Sequence, residues 1–207
     1  SCGLVQLDRE PVSYYKEVIT AAAFSQKARE SRLQETVKFV EEFDLTGKTL
    51  VEIGCGTGEM LDIFEEAGVN AVGLEYSTKS VNIGRAAGRD LIEAYIEDIA
   101  AQSIGPYDGF FSFNFLEHVP NPRKAIQIIY DNIRCEAVGY VTVPNLEFLL
   151  ESKCMYEFVA DHLSYFTTET LRHAFENNGF QVEKIGIINE GNDIAITVRK
   201  RNALDIS

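Results

Sequence analysis

Residues Val51-Glu52-Ile53-Gly54-Cys55-Gly56-Thr57-Gly58 place three glycines at alternate positions directly behind a strand-like apolar run. Without a Cβ, glycine lets backbone come close to a ligand. The helix that follows offers free N–H groups and the positive end of its dipole. The spacing is G-x-G-x-G, not the G-x-G-x-x-G of dinucleotide sites, and no lysine stands at P-loop spacing. Glu75 ends the next strand-like run, where a carboxylate can accept both hydroxyls of a ribose. Dinucleotide sites share that feature, so Glu75 alone does not discriminate. An ordinary strand-to-helix turn and an exposed strand-end acid are the plain alternatives. The chain has three histidines. His162, beside Asp161 and followed by Leu163-Ser164-Tyr165-Phe166, is read either as a general base or acceptor contact or as a packed loop residue. His118 reads as a residue orienting a loop, with catalysis as the alternative, and His173 as a solvated helix residue. No metal-ligand spacing is present, so the expected chemistry is metal-free.

The elements that position these residues alternate. Leu33, Val37, Val40 and Phe43 share one helical face, and Ala21-Ala22-Ala23 has high helix propensity. Gly47 closes this helical N-terminal region, taken as residues 1–44. Thr49 to Ile53 reads as a strand. Met60, Leu61, Phe64 and Ala67 follow a helical period up to Gly68. Ala71 to Glu75 is the second strand, and Ser77 or Thr78 caps the next helix. Leu91 to Ile96 is the third strand and Asp108 to Phe113 the fourth. Pro120 and Pro122 open a helix carrying Ala125, Ile126, Ile129 and Ile133. Val138 to Val143 is the fifth strand. Part of Leu146 to Ser164 is helical, and Thr167 or Thr168 caps a helix that stops at Asn178-Gly179. Phe180 to Ile188 and Asp193 to Val198 are joined by four residues, which forces an antiparallel pair. Alternating β and α units predict an α/β fold with a parallel sheet covered by helices on both faces. Ligands in such sheets bind beyond the carboxyl ends of the strands, where strand order reverses.

Composition narrows the partners. The 207 residues carry 19 Lys+Arg against 32 Asp+Glu, a net charge of −13. Nucleic-acid affinity rests on Lys and Arg neutralising phosphates, so no nucleic-acid partner is expected. Arg199-Lys200-Arg201 reads as a solvated strand end. No apolar run approaches the roughly 20 residues that span a bilayer, and the N-terminus shows no signal pattern. Cys2, Cys55, Cys135 and Cys154 are scattered, as expected for free thiols in a cytoplasmic protein. Oligomeric state is not read from the sequence.

Val51 to Gly58, with Glu75 following, resembles the cofactor signature of class I S-adenosylmethionine-dependent methyltransferases. The resemblance continues through Glu97-Asp98-Ile99, through Tyr107-Asp108, and through Asn114-Phe115-Leu116-Glu117-His118-Val119-Pro120. It covers residues 45 to 200. It implies a seven-stranded, doubly wound, mostly parallel sheet of order 3-2-1-4-5-7-6 with the last strand reversed. It implies S-adenosylmethionine as cofactor and a small-molecule acceptor. By position, Glu52, Gly54, Cys55, Gly56 and Gly58 would line the methionine end, Glu75 would hold the ribose, and Tyr76 would lie against the adenine. Asp98, beside Glu97, would bond the adenine amino group unless it only caps a helix, and Ile99 would donate its N–H. Asn114 and Leu116 would border the sulfonium. Tyr14, Tyr15, Phe24, Ser25, Arg29 and Arg32 fall in the region that covers the cofactor in many such enzymes, or form a packed helix with a charged face.

A narrower similarity is to bacterial sugar C-methyltransferases. Cys2-Gly3-Leu4-Val5-Gln6-Leu7 looks like the tail of their small zinc-binding domain, and Asp161-His162 matches their acid–histidine pair. There the histidine is the candidate base for removing a proton next to a carbonyl. The chain departs from them in holding only Cys2 of four zinc ligands, in lacking their long C-terminal domain, in Val159 replacing a tyrosine, and in Asp161 replacing a glutamate. Two other function classes compete. A nicotinamide-dependent oxidoreductase is disfavoured by the glycine spacing and the closing hairpin. A cofactor-binding protein without catalysis would bind donor and turn nothing over.

Overall fold

The structure, a computed structural model, describes residues 3–8, 25–100, 103–153 and 158–201. Cys2, Tyr14, Tyr15, Ala21-Ala22-Ala23, Phe24 and Cys154 lie outside them. Helix α1 spans Gln26–Glu42 and starts where Ser25 accepts a hydrogen bond from the Ala28 N–H. Its apolar stripe of Leu33, Phe39, Val40 and Phe43 packs against one face of the central sheet. It ends at Phe43, ahead of Gly47.

Strands β2 (Thr49–Ile53), β3 (Asn70–Glu75), β4 (Leu91–Glu93), β5 (Tyr107–Phe113), β6 (Ile133–Pro144), β8 (Phe180–Ile188) and β9 (Asp193–Lys200) form the sheet, in order β4-β3-β2-β5-β6-β9-β8. Renumbered within the sheet this is 3-2-1-4-5-7-6. The pairs from β4 to β6 are parallel, and β9 runs antiparallel to both neighbours. Order reverses at β2, which pairs with β3 on one side and β5 on the other. Alternate residues of β5 feed opposite cores. Phe110 packs with Ile126, Leu171, Phe175 and Phe180 on the face of α4 (Pro122–Asp131) and α6 (Thr168–Glu176). Phe111 packs with Phe64, Leu61 and Val40 on the face of α1 and α2 (Glu59–Glu66). Burying each such ring contributes about 1.5–3 kcal/mol.

Side-chain caps set most remaining helix starts: Ser77 for α3 (Thr78–Ala86), Asn121 for α4, Asn145 for α5 (Leu146–Glu151) and Thr167 for α6. Helix α2 has no side-chain cap, because Gly58 precedes it at φ 84°.

Three expectations change. The third strand stops at Glu93, and Ile96–Asp98 forms a single 3-10 turn, so Asp98 closes a turn and caps no helix. Ile133 begins β6 and is not part of α4. The first described residues are extended: strand β1 (Val5–Gln6) pairs antiparallel with β7 (Ser164–Tyr165). The Leu7 N–H also donates to the Leu163 carbonyl at 3.0 Å. Leu4 and Leu7 are partly buried, each packed against a different core cluster, which helps hold this strand in place despite its length. Among the described residues no helix is long and apolar enough to cross a membrane.

Candidate functional site

At the carboxyl ends of β2, β3 and β5 lies a cleft walled by Ile53, Gly54, Leu74, Tyr95, Phe115 and Val119. Glu75, Tyr76, Ala94, Ile96 and His118 complete the lining. Mostly apolar walls with one carboxylate at the rim suit a nucleoside.

Gly54, Gly56 and Gly58 have φ of 74°, 59° and 84°, all in the left-handed region. A Cβ on Gly54 would lie 2.2 Å from Cδ2 of Phe115. The bare Cα is what lets that ring close the pocket. Glu75 is buried and accepts two backbone hydrogen bonds, Oε2 from Gly56 N–H at 2.9 Å and Oε1 from Ser77 N–H at 2.8 Å. Burial raises its pKa, while the N–H groups of Ser77, Gly56 and Tyr76 work against that rise. The carboxylate thus ties the glycine loop to the start of α3 and keeps its remaining lone pairs at the cavity. Tyr76 is 41 % exposed and meets Tyr95 edge-on at 5.8 Å between ring centroids.

Glu52 sits deeper, on the α1/α2 side of the loop. Burial, then the nearby Glu59 and Glu75, push its pKa up to about 8. Glu52 Oε2, Glu59 Oε2 and Thr57 Oγ1 are enclosed without hydrogen-bond partners among the described residues. Three unsatisfied oxygens around one loop suit an ammonium group, which would also draw Glu52 into its ionised form. Cys55 is a buried thiol whose pKa is raised by burial and by Glu52 and Glu75. It is a packing residue of the α1/α2 core. Folded Glu52 binds a proton between its unfolded pKa near 4.5 and its folded pKa of about 8. Its contribution therefore favours the fold at low pH and is lost as pH rises across that interval. Glu52→Gln should remove this slope. The melting temperature of wild type relative to the variant should fall from pH 5 to pH 8, and parallel curves would contradict the shift.

Of the residues assigned to the adenine, Asp98 is exposed and lines an outer cleft with Thr57, Tyr76 and Tyr95. Glu97 accepts from Asn121 N–H at 3.1 Å. The Ile99 N–H is engaged by the Ile96 carbonyl at 3.3 Å. Asn114, at φ 45°, accepts from Thr142 Oγ1 at 2.6 Å and donates to Asp193 at 3.2 Å. It clamps the end of β5 to β6 and β9. Leu116 is buried, and its neighbour Phe115 lines the cavity instead. Arg32 and Phe113 line a second cavity, between α1 and the sheet, with Phe39, Met60, Phe111 and Tyr140.

The histidines converge. His118 belongs to a 3-10 turn, Leu116–His118, and His162 to the loop before β7. Their rings meet edge-on at 4.8 Å between centroids. His118 Nδ1 is 3.0 Å from the Asp161 carbonyl oxygen and 3.6 Å from the Asp161 carboxylate. A carbonyl only accepts, so Nδ1 carries the hydrogen and Nε2 the lone pair. Burial lowers the His118 pKa, helped by His162 and opposed by Asp161, which keeps the ring neutral near pH 7. The Leu163 N–H donates to the Glu117 carbonyl at 2.7 Å, joining the two segments. His118 both faces this cluster and lines the cleft at the strand ends. His173 stands apart on α6. Glu117, Phe115 and Tyr95 are site residues that the sequence reading assigned no separate role. A mostly apolar cleft with a carboxylate at its edge, beside two adjoining imidazoles, can bind a nucleoside and offer a base to a second molecule.

The family model described as "Methyltransferase domain" matches residues 25–185. The ubiquinone biosynthesis O-methyltransferase of Bordetella parapertussis is 32% identical over 89 residues, 40% of this chain and 37% of that protein. C-methyltransferase NovU of Streptomyces niveus is 26% identical over 148 residues, 69% of this chain and 35% of that protein. The chain therefore spans little more than a third of the length of these curated relatives. Among solved structures, magnesium protoporphyrin IX methyltransferase from Synechocystis PCC 6803 with bound SAH superposes with a TM-score of 0.68 at 13% identity, covering 90% of this chain and 96% of that one.

Proposed function

The chain belongs to the methyltransferase-domain family, and on that premise we propose that it transfers a methyl group from S-adenosylmethionine to a small-molecule acceptor held beside His162. The observation that carries this reading is the Glu75 clamp on Gly56 and Ser77 beside a cleft whose Phe115 wall stands where only a bare Gly54 leaves room for it. The residues fit the donor at each end. Glu75 meets ribose hydroxyls, Tyr76 and Tyr95 flank a base, and the unsatisfied oxygens of Glu52, Glu59 and Thr57 meet an ammonium. When bound, S-adenosylmethionine supplies a methyl group that its sulfonium has already made electrophilic.

The protein's own part is to align, to exclude water and to move one proton. Holding donor and acceptor in register is worth roughly 7–11 kcal/mol of barrier. Phe115 and Val119 keep water from the donor. His162 takes the acceptor proton, and Asp161 and His118 hold it in place through the contacts around Nδ1 of His118. Imidazole suits that task near neutral pH.

The finer reading is C-methylation of a nucleotide-linked keto sugar. Support comes from the Asp161-His162 pair and from the C-methyltransferase likeness, which runs over 69% of the chain where the O-methyltransferase likeness runs over 40%. A carbon next to a carbonyl needs a base, and His162 is one. Residues 45–207 form the catalytic domain in this reading, with 1–44 as its cap, acting in the cytoplasm.

Two measurements test it. Calorimetry should show S-adenosylhomocysteine binding that Glu75→Ala weakens; no binding to the wild type would reject the donor assignment. Incubation of a nucleotide-linked keto sugar in deuterium oxide, without donor, should exchange the hydrogen next to the carbonyl. Methylation of a catechol without such exchange would favour O-methylation instead.

A further inference from the structure

We propose that Glu117, His118 and His162 form a binding site for one divalent transition-metal ion of the zinc class, and that the ion switches methyl transfer off. One ligand atom from each residue lies within 4.8 Å of the others. Glu117 Oε1 and His118 Nε2 are 3.8 Å apart. Two ligands of a tetrahedral zinc ion, each about 2.0–2.2 Å from the metal, sit about 3.4 Å apart. A few tenths of an ångström close that pair. His162 stands on a half-exposed loop, so a side-chain rotation supplies the larger movement.

The surroundings are those of a ligand set. The Asp161 carbonyl fixes the hydrogen of His118 on Nδ1, and the Asp161 carboxylate lies 3.6 Å from the same nitrogen. Metal-bound histidines are held in this way by a carboxylate or carbonyl behind the ring. Nε2 is left with its lone pair on the Glu117 side. The Leu163–Glu117 backbone bond fixes the two ligand-bearing segments to each other. Glu117 is 1 % exposed, so its carboxylate is held inside the fold beside the two rings. Two imidazoles and one carboxylate match zinc and its first-row neighbours better than magnesium or calcium.

The consequence follows from electron counting alone. The lone pair with which His162 accepts a proton is the one it would give to the metal. A bound ion therefore removes the base. This inhibitory half rests on the base assignment made above; the binding half does not.

Cobalt(II) is the probe for binding. Titration of the whole chain should give one ion per chain with the visible bands of a tetrahedral nitrogen–oxygen site. His162→Ala and Glu117→Gln should each abolish those bands. Asp161→Ala should weaken binding by about 10–100-fold. Absence of the bands, their persistence in both variants, or a sulfur-to-cobalt charge-transfer band would overturn the site. For the switch, zinc should stop deuterium exchange into the keto sugar, a chelator should restore it, and S-adenosylhomocysteine affinity should stay the same. Exchange that continues with zinc bound at the triad would overturn inhibition. Absence of exchange in metal-free protein would overturn the base assignment and inhibition with it, while the cobalt titration still judges the site.

Discussion

Gly54→Ala is expected to lower affinity for S-adenosylhomocysteine by about a hundredfold, roughly 2.7 kcal/mol. The added Cβ would lie 2.2 Å from Cδ2 and 2.8 Å from Cγ of Phe115. No real contact is that short, so the ring must leave, and it borders the cavity that the nucleoside would fill. The same substitution puts a side chain at φ 74°, a conformation that costs an L-residue about 1–2 kcal/mol. Melting temperature should therefore fall as well, but modestly. The double variant Gly54→Ala, Phe115→Ala separates the two effects. Removing the ring should return part of the affinity while leaving the backbone strain. Calorimetry on the three proteins decides the matter, and undiminished affinity in Gly54→Ala would mean that the donor lies elsewhere.

His162→Ala should reduce methyl transfer by about 10²–10⁴-fold, the usual worth of a general base. Affinity for S-adenosylhomocysteine should not change, since His162 is not among the residues lining the donor cavity. Deuterium exchange at the acceptor carbon should fall in parallel with transfer. A variant that transfers methyl groups at the wild-type rate would return His162 to a packing role. A variant that binds the donor poorly would show instead that the loop props the cavity.

The strand ends that border the cleft were legible because they are contiguous in the sequence. Gly54, Gly56, Gly58 and Glu75 fall on consecutive strand ends, and strand-to-helix alternation alone puts such ends on one edge of the sheet. The closing β8–β9 pair was equally legible, since four residues leave no other connection. Harder to read were features set by packing between distant residues. Phe115 and Leu116 are adjacent apolar residues, and nothing in their order says which turns into the cavity. Leu91 to Ile96 has a strand's composition, yet the ladder to β3 ends with the Ala94 N–H on the Glu75 carbonyl, and the Asp98 N–H then closes a turn on the Tyr95 carbonyl. Ile133 continues the period of α4 but is claimed by β6, which pairs it with Tyr107. The Glu117–His118–His162 cluster joins positions with no shared motif, so spacing gave no hint of it.

The short pairing of β1 with β7 bears on the order in which the molecule assembles. Gln6 Nε2 reaches Ser164 Oγ across 158 positions of chain, whereas the Glu75–Gly56 bond spans 19. The entropy lost in closing a loop grows with its length, and such distant contacts are slow to form. The donor pocket should therefore be complete before the first strand docks, and that strand should close the structure last. In pulsed hydrogen exchange during refolding, the Gly54 amide should become protected before that of Leu7; the reverse order would mean that the terminal strand nucleates the fold.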